Sequence, residues 1–308
     1  MAALKQIKNK IRSVEKTGKV TKAMEAVSAA KMRKTQERAV AGRTYARAAA
    51  GILARVSGSA ELKNHPLTRR RPEGSARRAL YIVITADRGL AGALNSGVLR
   101  AALADMEKTG TLKNGGARVF AVGRKAGDFF AARNVPVDLY YPNTDEVASP
   151  VVRELVRRAS EHFSKGEVDV VKVVFQNFIS TFEQRPSLRT IFPLSLKELT
   201  KVVDGILPVR GLYAAPQPIE APQSYEVEPT ERRVLLAILP RLAGVFIYHA
   251  LLESHASEHS ARMVAMKSAS DKAVELADKL RLDFNKARQT AITREVSEIT
   301  SGMETMAA

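Results

Sequence analysis

The chain has 308 residues, no cysteine and no tryptophan, and its 49 Lys plus Arg against 32 Asp plus Glu give a formal net charge of +17. Without a thiol there is no disulfide, Cys-ligated zinc, iron–sulfur cluster, Cys nucleophile or dithiol switch; the length allows one large or two modest domains, and 45% apolar residues suffice for a core. The longest uninterrupted apolar runs, 80–84 and 234–239, fall far short of the ~20 residues that cross a bilayer, and residues 1–13 lack the apolar stretch of a secretory signal, so a soluble chain is expected.

Residues 1–64 read as one long helix. The segment contains no proline, its glycines are isolated, and Ala, Lys, Arg, Glu, Gln and Met dominate. Leu4, Ile7, Ile11 and Val14 step by three or four, the seam of a coiled coil, and Val20, Met24 and Val27 continue an apolar face in a drifting register. About 55 helical residues span roughly 80 Å, more than one globular core covers, so this helix needs a partner. Residues 1–60 carry 14 Lys or Arg and only Glu15, Glu25 and Glu37, so the rod is cationic. Such a surface attracts polyanions, acidic protein loops or anionic lipid, and it also fits a solvated face with no dedicated partner.

A basic, Pro- and Gly-containing linker, 65–78, leads into a segment with different patterning, 79–208. Strands are expected at 80–84, 117–122, 137–141 and 168–175, with helices running to Lys108, over 124–133 and over 150–163. This alternation predicts a small, mostly parallel sheet built by right-handed crossovers. The Pro-rich stretch 209–229 reads as an extended loop. From 230 to 308 a second long helix is expected, with Leu276, Leu280, Phe284, Ala287 and Ala291 as one stripe and Ile292, Val296, Ile299, Met303 and Met306 as a heptad seam. Two amphipathic rods at the chain ends most simply pair with each other, antiparallel, with a domain inserted between them; two rods that each dimerise with other copies are the alternative. Pro240 removes one backbone bond near the start of the last helix and is a candidate kink.

Sequences suggestive of chemistry are few. Gly89-Leu90-Ala91-Gly92 follows a strand but lacks the spacing of a dinucleotide or phosphate loop and reads as a turn, with Asp87 and Arg88 free to cap the next helix or pair with each other. His255-Ala256-Ser257-Glu258-His259 matches the H-x-x-E-H string of inverted zinc proteases, and a helix would put both imidazoles on one face. A zinc site also needs a third protein ligand and a cleft, which a rod helix does not offer. His65, His162 and His249 stand alone and read as surface or packing residues. No cofactor, metal site or catalytic residue is expected.

Four stretches carry a resemblance. VTKAMEAVSAAKMRK (20–34), TADRGLAGALN (85–95), ASEHSARMVAMKSASD (256–271) and FNKARQTAITREVSEI (284–299) resemble, in order, signatures of the gamma subunit of F-type ATP synthases, of bacterial type. The resemblance covers essentially the whole chain and begins at its first residues, which implies no organelle presequence. It implies an α/β fold: a long antiparallel coiled coil of N- and C-terminal helices with an inserted Rossmann-like domain. It further implies the central rotor shaft, turning inside the alpha3beta3 hexamer of F1 and standing on epsilon and the c-subunit ring of Fo, at the cytoplasmic face of the bacterial inner membrane. Such a subunit catalyses nothing itself and takes no nucleic acid and no direct small-molecule substrate. By the same match Met24 lies beside an acidic beta lever, Arg288 and Gln289 form a polar catch for a beta loop, Ile292, Val296 and Ile299 turn in an apolar sleeve, and Tyr225 and Glu226 belong to the foot near epsilon and c. Ala91 and Ala93 stand where relatives usually have Cys and Gly, and the thiol-control segment of chloroplast relatives is missing. Two rivals make different demands: a basic coiled coil on nucleic acid requires affinity that falls steeply with salt, and a zinc protease requires stoichiometric metal at His255 and His259.

Overall fold

The structure, a computed structural model, describes residues 2–56, 60–69, 78–144, 146–194, 228 and 230–307. Its elements run α1 (Ala2–Val56), α2 (Ala60–Asn64), β1 (Ala79–Ile84), α3 (Leu94–Lys108), β2 (Ala117–Val122), α4 (Arg124–Ala131), β3 (Val137–Tyr141), α5 (Ser149–Ser164), β4 (Val170–Phe178), β5 (Gln184–Phe192) and α6 (Glu231–Ala307). The chain divides into two compact units. One joins residues 1–29 to 262–308 and the other comprises residues 30–261, so both long helices contribute to each.

The larger unit is built on a five-stranded sheet of order β3-β2-β1-β4-β5. β1 pairs in parallel with β2 and β4, and β2 with β3. Buried on both faces, β1 reads as a continuous apolar run instead of alternating with polar residues. Leu80, Ile82 and Ile84 enter one core with α5 and the first third of α6; Ala79, Tyr81 and Val83 enter a second with α3 and α4. Each fully buried Leu, Ile or Phe contributes about 1.5–3 kcal/mol. α5 earns its place by pattern: Pro150 suits the first turn, where no backbone donor is needed, and Val152, Leu155, Val156, Ala159 and Phe163 fall on one face.

β5 is the element that sequence patterning does not reveal. It returns antiparallel to β4, from Val171 opposite Phe192 to Phe178 opposite Gln184. As an edge strand it is only half-buried and holds Pro186, tolerated where no neighbouring strand needs its donor, so both usual signals are weak. The expected linker also contributes to the core: Leu67, like Leu62 of α2, is buried with the first cluster, and the Leu194 N–H donates to the Leu67 carbonyl at 2.8 Å. α6 continues through Pro240 without a break. By length and composition α6 could cross a membrane, a longer apolar stretch than its uninterrupted runs suggest; within it Leu235, Leu239, Leu242, Ala243, Phe246 and Ile247 are buried in the sheet core.

Candidate functional site

The smaller unit consists of the N-terminal stretch of α1 and the C-terminal stretch of α6. They run antiparallel: Arg281 pairs with Glu15 at 2.6 Å, while Ser270 donates to the Gly18 carbonyl at 3.4 Å, so ascending numbers on one helix meet descending numbers on the other. Leu4, Ile7, Ile11 and Val14 are half-buried, as a seam requires. Farther along, the seam passes to Gly18, Thr21 and Ser28, while Val20 and Val27 face outward. Opposite lie Met266, Ser270, Ala273, Ala277, Leu280 and Phe284, separated by fours and threes; Leu276, expected in the stripe, is exposed.

Small residues make this seam thin. A methyl at Gly18 would sit 3.2 Å from the Ala273 Cβ, closer than ordinary contact. The α1 seam hydroxyls are satisfied within their own helix, Thr21 donating to the carbonyls of Thr17 and Gly18 and Ser28 to that of Met24, while Ser270 donates across to Gly18. Close approach therefore leaves no stranded donor. Outside the seam, Lys5, Lys8, Lys10, Arg12, Lys16, Lys19 and Lys22 are all exposed, so the cationic face is a property of the fold as well as of composition.

The residues singled out from sequence fall at two stations of this unit. Met24 is half-buried on α1, beside the Lys22–Glu25 ion pair of 3.0 Å. Arg288 and Gln289 are exposed on α6, where Gln289 shares a shallow polar depression with Lys286, Thr290, Thr293 and Arg294. With Glu15 facing Arg281, Met24 lies across from residues some 20 positions before Arg288, or roughly 30 Å along the axis. Ile292, Val296 and Ile299 are 50%, 57% and 64% exposed. The same offset exhausts α1 near residue 292, so this apolar strip lies on helix that α1 no longer accompanies. It is no intrachain seam, contrary to its heptad spacing. Tyr225 and Glu226 lie outside the described residues.

In the larger unit, the histidine string does structural work. The Asn143 amide donates to the Thr85 carbonyl at 2.8 Å, which leaves Asn143 Oδ1 to accept from His255 Nε2 at 2.6 Å. His255 and His259 do share a face, with ring centroids 6.5 Å apart. Among the described residues no three His, Cys, Asp or Glu side chains are grouped to hold a metal ion. Ser257 donates to the Gln176 carbonyl and Ser260 to the Thr181 carbonyl. These bonds fasten α6 at the carboxyl ends of β1 and β4, the place where open α/β sheets receive ligands. Sequence reading missed this polar seam, although the small and polar letters of 254–260, directly after the largely apolar stretch 234–252, are its signal.

The loop after β1 is a turn, as expected, with Leu90 and Gly92 at positive φ. Asp87 caps a helix, but not the next one: its Oδ1 accepts from the Arg124 N–H at 2.7 Å, at the start of α4. Thr85 adds a second acceptor there for the Ala126 N–H. His162 lies 2.5 Å from Glu167, and His65 and His249 are buried.

Comparison with known proteins gives consistent results. A family model described as ATP synthase matches residues 3–306. The ATP synthase gamma chain of Heliobacterium modesticaldum is 37% identical over 303 residues, covering 98% of each chain. That of Symbiobacterium thermophilum is 38% identical over 299 residues, 97% of this chain and 96% of the relative. Among solved structures, a chain of the Euglena gracilis mitochondrial ATP synthase, OSCP/F1/c-ring, superposes with a TM-score of 0.62 at 18% identity, over 99% of this chain and 95% of that one. A chain of the Tetrahymena thermophila central stalk/c-ring gives 0.56 at 22% identity, covering 82% and 99%.

Proposed function

This chain is a member of the ATP synthase gamma-chain family, and from that premise we propose how its parts divide the work. It is the central rotor shaft of an F-type ATP synthase, coupling proton-driven rotation of the c ring to conformational change in the catalytic beta subunits, with hydrolysis as the reverse. The chain itself makes and breaks no bond in nucleotide. The paired stretches of α1 and α6 form the shaft inside the alpha3beta3 hexamer. The 79–208 domain, with Tyr225 and Glu226 in the foot, rests on epsilon and the c ring at the cytoplasmic face of the inner membrane.

A shaft biases a nucleotide site only by contacting its open and closed forms with unequal free energy. Moving a site from 1:99 to 99:1 takes about 5.5 kcal/mol of such difference. Two classes of side chain are available for it. The exposed cations of α1 near Met24 meet an acidic beta lever, and Arg288 with Gln289 engages a beta loop through directional hydrogen bonds that favour particular angles. Ile292, Val296 and Ile299 do the opposite job: apolar contact in an apolar sleeve carries no directional preference, so the tip turns without catching.

The observation that carries this reading is the strip Ile292, Val296 and Ile299, half-exposed or more on helix with no companion from α1. The test is ATP-driven proton pumping by the reconstituted complex. Met24→Lys adds a cation beside the lever and is expected to lower protons pumped per ATP while hydrolysis continues; Val296→Glu is expected to slow rotation. Unchanged pumping in both, or a hexamer whose activity ignores this chain, would sink the proposal.

A further inference from the structure

Within the larger unit, α6 meets the rest of the chain through two kinds of contact. Leu235, Leu239, Ala243, Ile247 and Leu251, a row of fours along one side of the helix, are all buried in the first core. After a shift of one turn in either direction, four of these five positions still receive an apolar side chain from the same row, so hydrophobicity does not choose the axial setting of the helix.

Past Leu252 the contacts turn polar. His255 Nε2 donates to Asn143 Oδ1 at 2.6 Å, Ser257 Oγ to the Gln176 carbonyl at 3.2 Å and Ser260 Oγ to the Thr181 carbonyl at 2.7 Å. The acceptors come from three places: the loop after β3, strand β4 and the hairpin tip between β4 and β5. Each is held by its own partners; Asn143 donates to the Thr85 carbonyl, Gln176 lies in the β4–β5 ladder, and Thr181 also accepts from Gln184 Nε2. Ser257 and Ser260 are 0% exposed, so a displaced hydroxyl is left unmatched.

These contacts do distinguish one setting from the next. A shift of one turn brings His259, Ala261 and Val264 to the places of His255, Ser257 and Ser260; the opposite shift brings Leu251, Glu253 and Ala256. A histidine returns to Asn143 in the first case. In neither case does a hydroxyl reach the Gln176 or Thr181 carbonyl. Hydrogen bonds are directional where apolar contact is not, and polar groups within an apolar interface are a known means of fixing register.

We propose that Ser257 and Ser260, with His255, form a register lock: positioning residues that hold α6 at one axial and angular setting on the sheet, so that sheet and helix turn together under load. The effect of the lock on coupling rests on the shaft reading; the lock as a feature of the folded chain does not.

The chain has no cysteine, so an introduced pair reports register without background. Thr181→Cys with Val264→Cys puts the second thiol one turn, about 6 Å, beyond the residue that now meets Thr181. Adding Ser257→Ala and Ser260→Ala to that pair is expected to speed disulfide formation in the full chain at least fivefold. If that variant does not fold, Ser260→Ala alone with the same pair decides, with an expected twofold increase. In the reconstituted complex, Ser257→Ala with Ser260→Ala should keep ATP hydrolysis within twofold and lower protons pumped per ATP at least twofold as the gradient rises. Unchanged trapping in a folded variant, wild-type pumping under load, or a parallel fall of hydrolysis and pumping at every gradient overturns the proposal. Trapping uses the chain alone, so a negative result there counts against the lock and leaves the shaft reading to its own test.

Discussion

Tyr81, Phe120, Phe130 and Phe175 in the sheet unit are below 2% exposed, whereas Val274, Leu282 and Ile299 in the helix pair are 60–64% exposed. The first unit buries two clusters of large apolar side chains on the two faces of its sheet, although Phe182 and Leu90 stay exposed. The second closes its seam with Gly18, Thr21, Ser28, Ser270 and Ala273, and presents larger apolar residues and a row of lysines outward. The difference teaches where each unit's stability comes from: one is held by a core of large side chains, and the other by a thin seam that leaves larger apolar residues outside. A shaft benefits from that division, because side chains spent on internal packing are not available to distinguish the surfaces around it.

The contrast is sharpest at Phe175. Phe175→Ala is expected to cost about 3–5 kcal/mol in a denaturant titration, as aromatic truncations in closed cores do. Leu282→Ala, an equally apolar deletion in the helix pair, should stay within about 0.5 kcal/mol. Comparable losses at both sites would break the comparison.

The sheet unit should be as intolerant of added atoms. Gly123 sits at φ +102°, and a Cβ there would run into the Thr85 carbonyl and hydroxyl. Gly123→Ala combines backbone strain with a clash against backbone that cannot retreat, and a loss of about 3 kcal/mol is expected by thermal unfolding.

A third test uses pH. Tyr81 donates to Asp105 at 2.8 Å, Lys172 reaches the same carboxylate at 2.5 Å, and burial pushes the phenol up to about 12. The folded state therefore holds this proton between about pH 10, where the unfolded phenol ionises, and about 12. The unfolded state binds fewer protons across that window, so stability is full below pH 10 and falls through it by roughly 2 kcal/mol. Tyr81→Phe should flatten that part of the pH–stability curve; an unchanged slope would show that another group titrates.

In the helix pair the corresponding limit is smaller and reparable. Gly18→Leu should separate the helices at Ala273 and cost about 1–2 kcal/mol, with part returned by Ala273→Gly in a double-mutant cycle. Strict additivity of the two substitutions would mean that the seam is not closed there.

Much of the architecture was legible in local patterning. Strand β1 announces itself because a strand buried on both faces is a continuous apolar run, and α5 because proline and a one-sided apolar stripe bracket it. The seam from Leu4 to Val14 follows from spacing alone. Beyond it the pattern misleads. Val20, Val27, Leu276 and Ile292 are apolar at plausible positions and yet face outward, since a seam can equally be made of Gly18, Thr21 and Ser270 once two backbones approach closely. Hydrophobicity marks what some surface will bury, not which surface.

Periodicity and composition determined that two long helices flank an α/β domain and that the first of them is cationic, because such features are written in residues a few positions apart. Only the tertiary structure decided that β5 closes the sheet, that Asp87 caps α4, that His255 is engaged by Asn143, and that the strip from Ile292 to Ile299 lies on helix without a companion. The two polar contacts join residues 37 and 112 positions apart, the strip rests on the offset between two helices, and β5 is fixed by pairing with β4 instead of by its own pattern. A local pattern carries no record of which distant group will arrive to satisfy it.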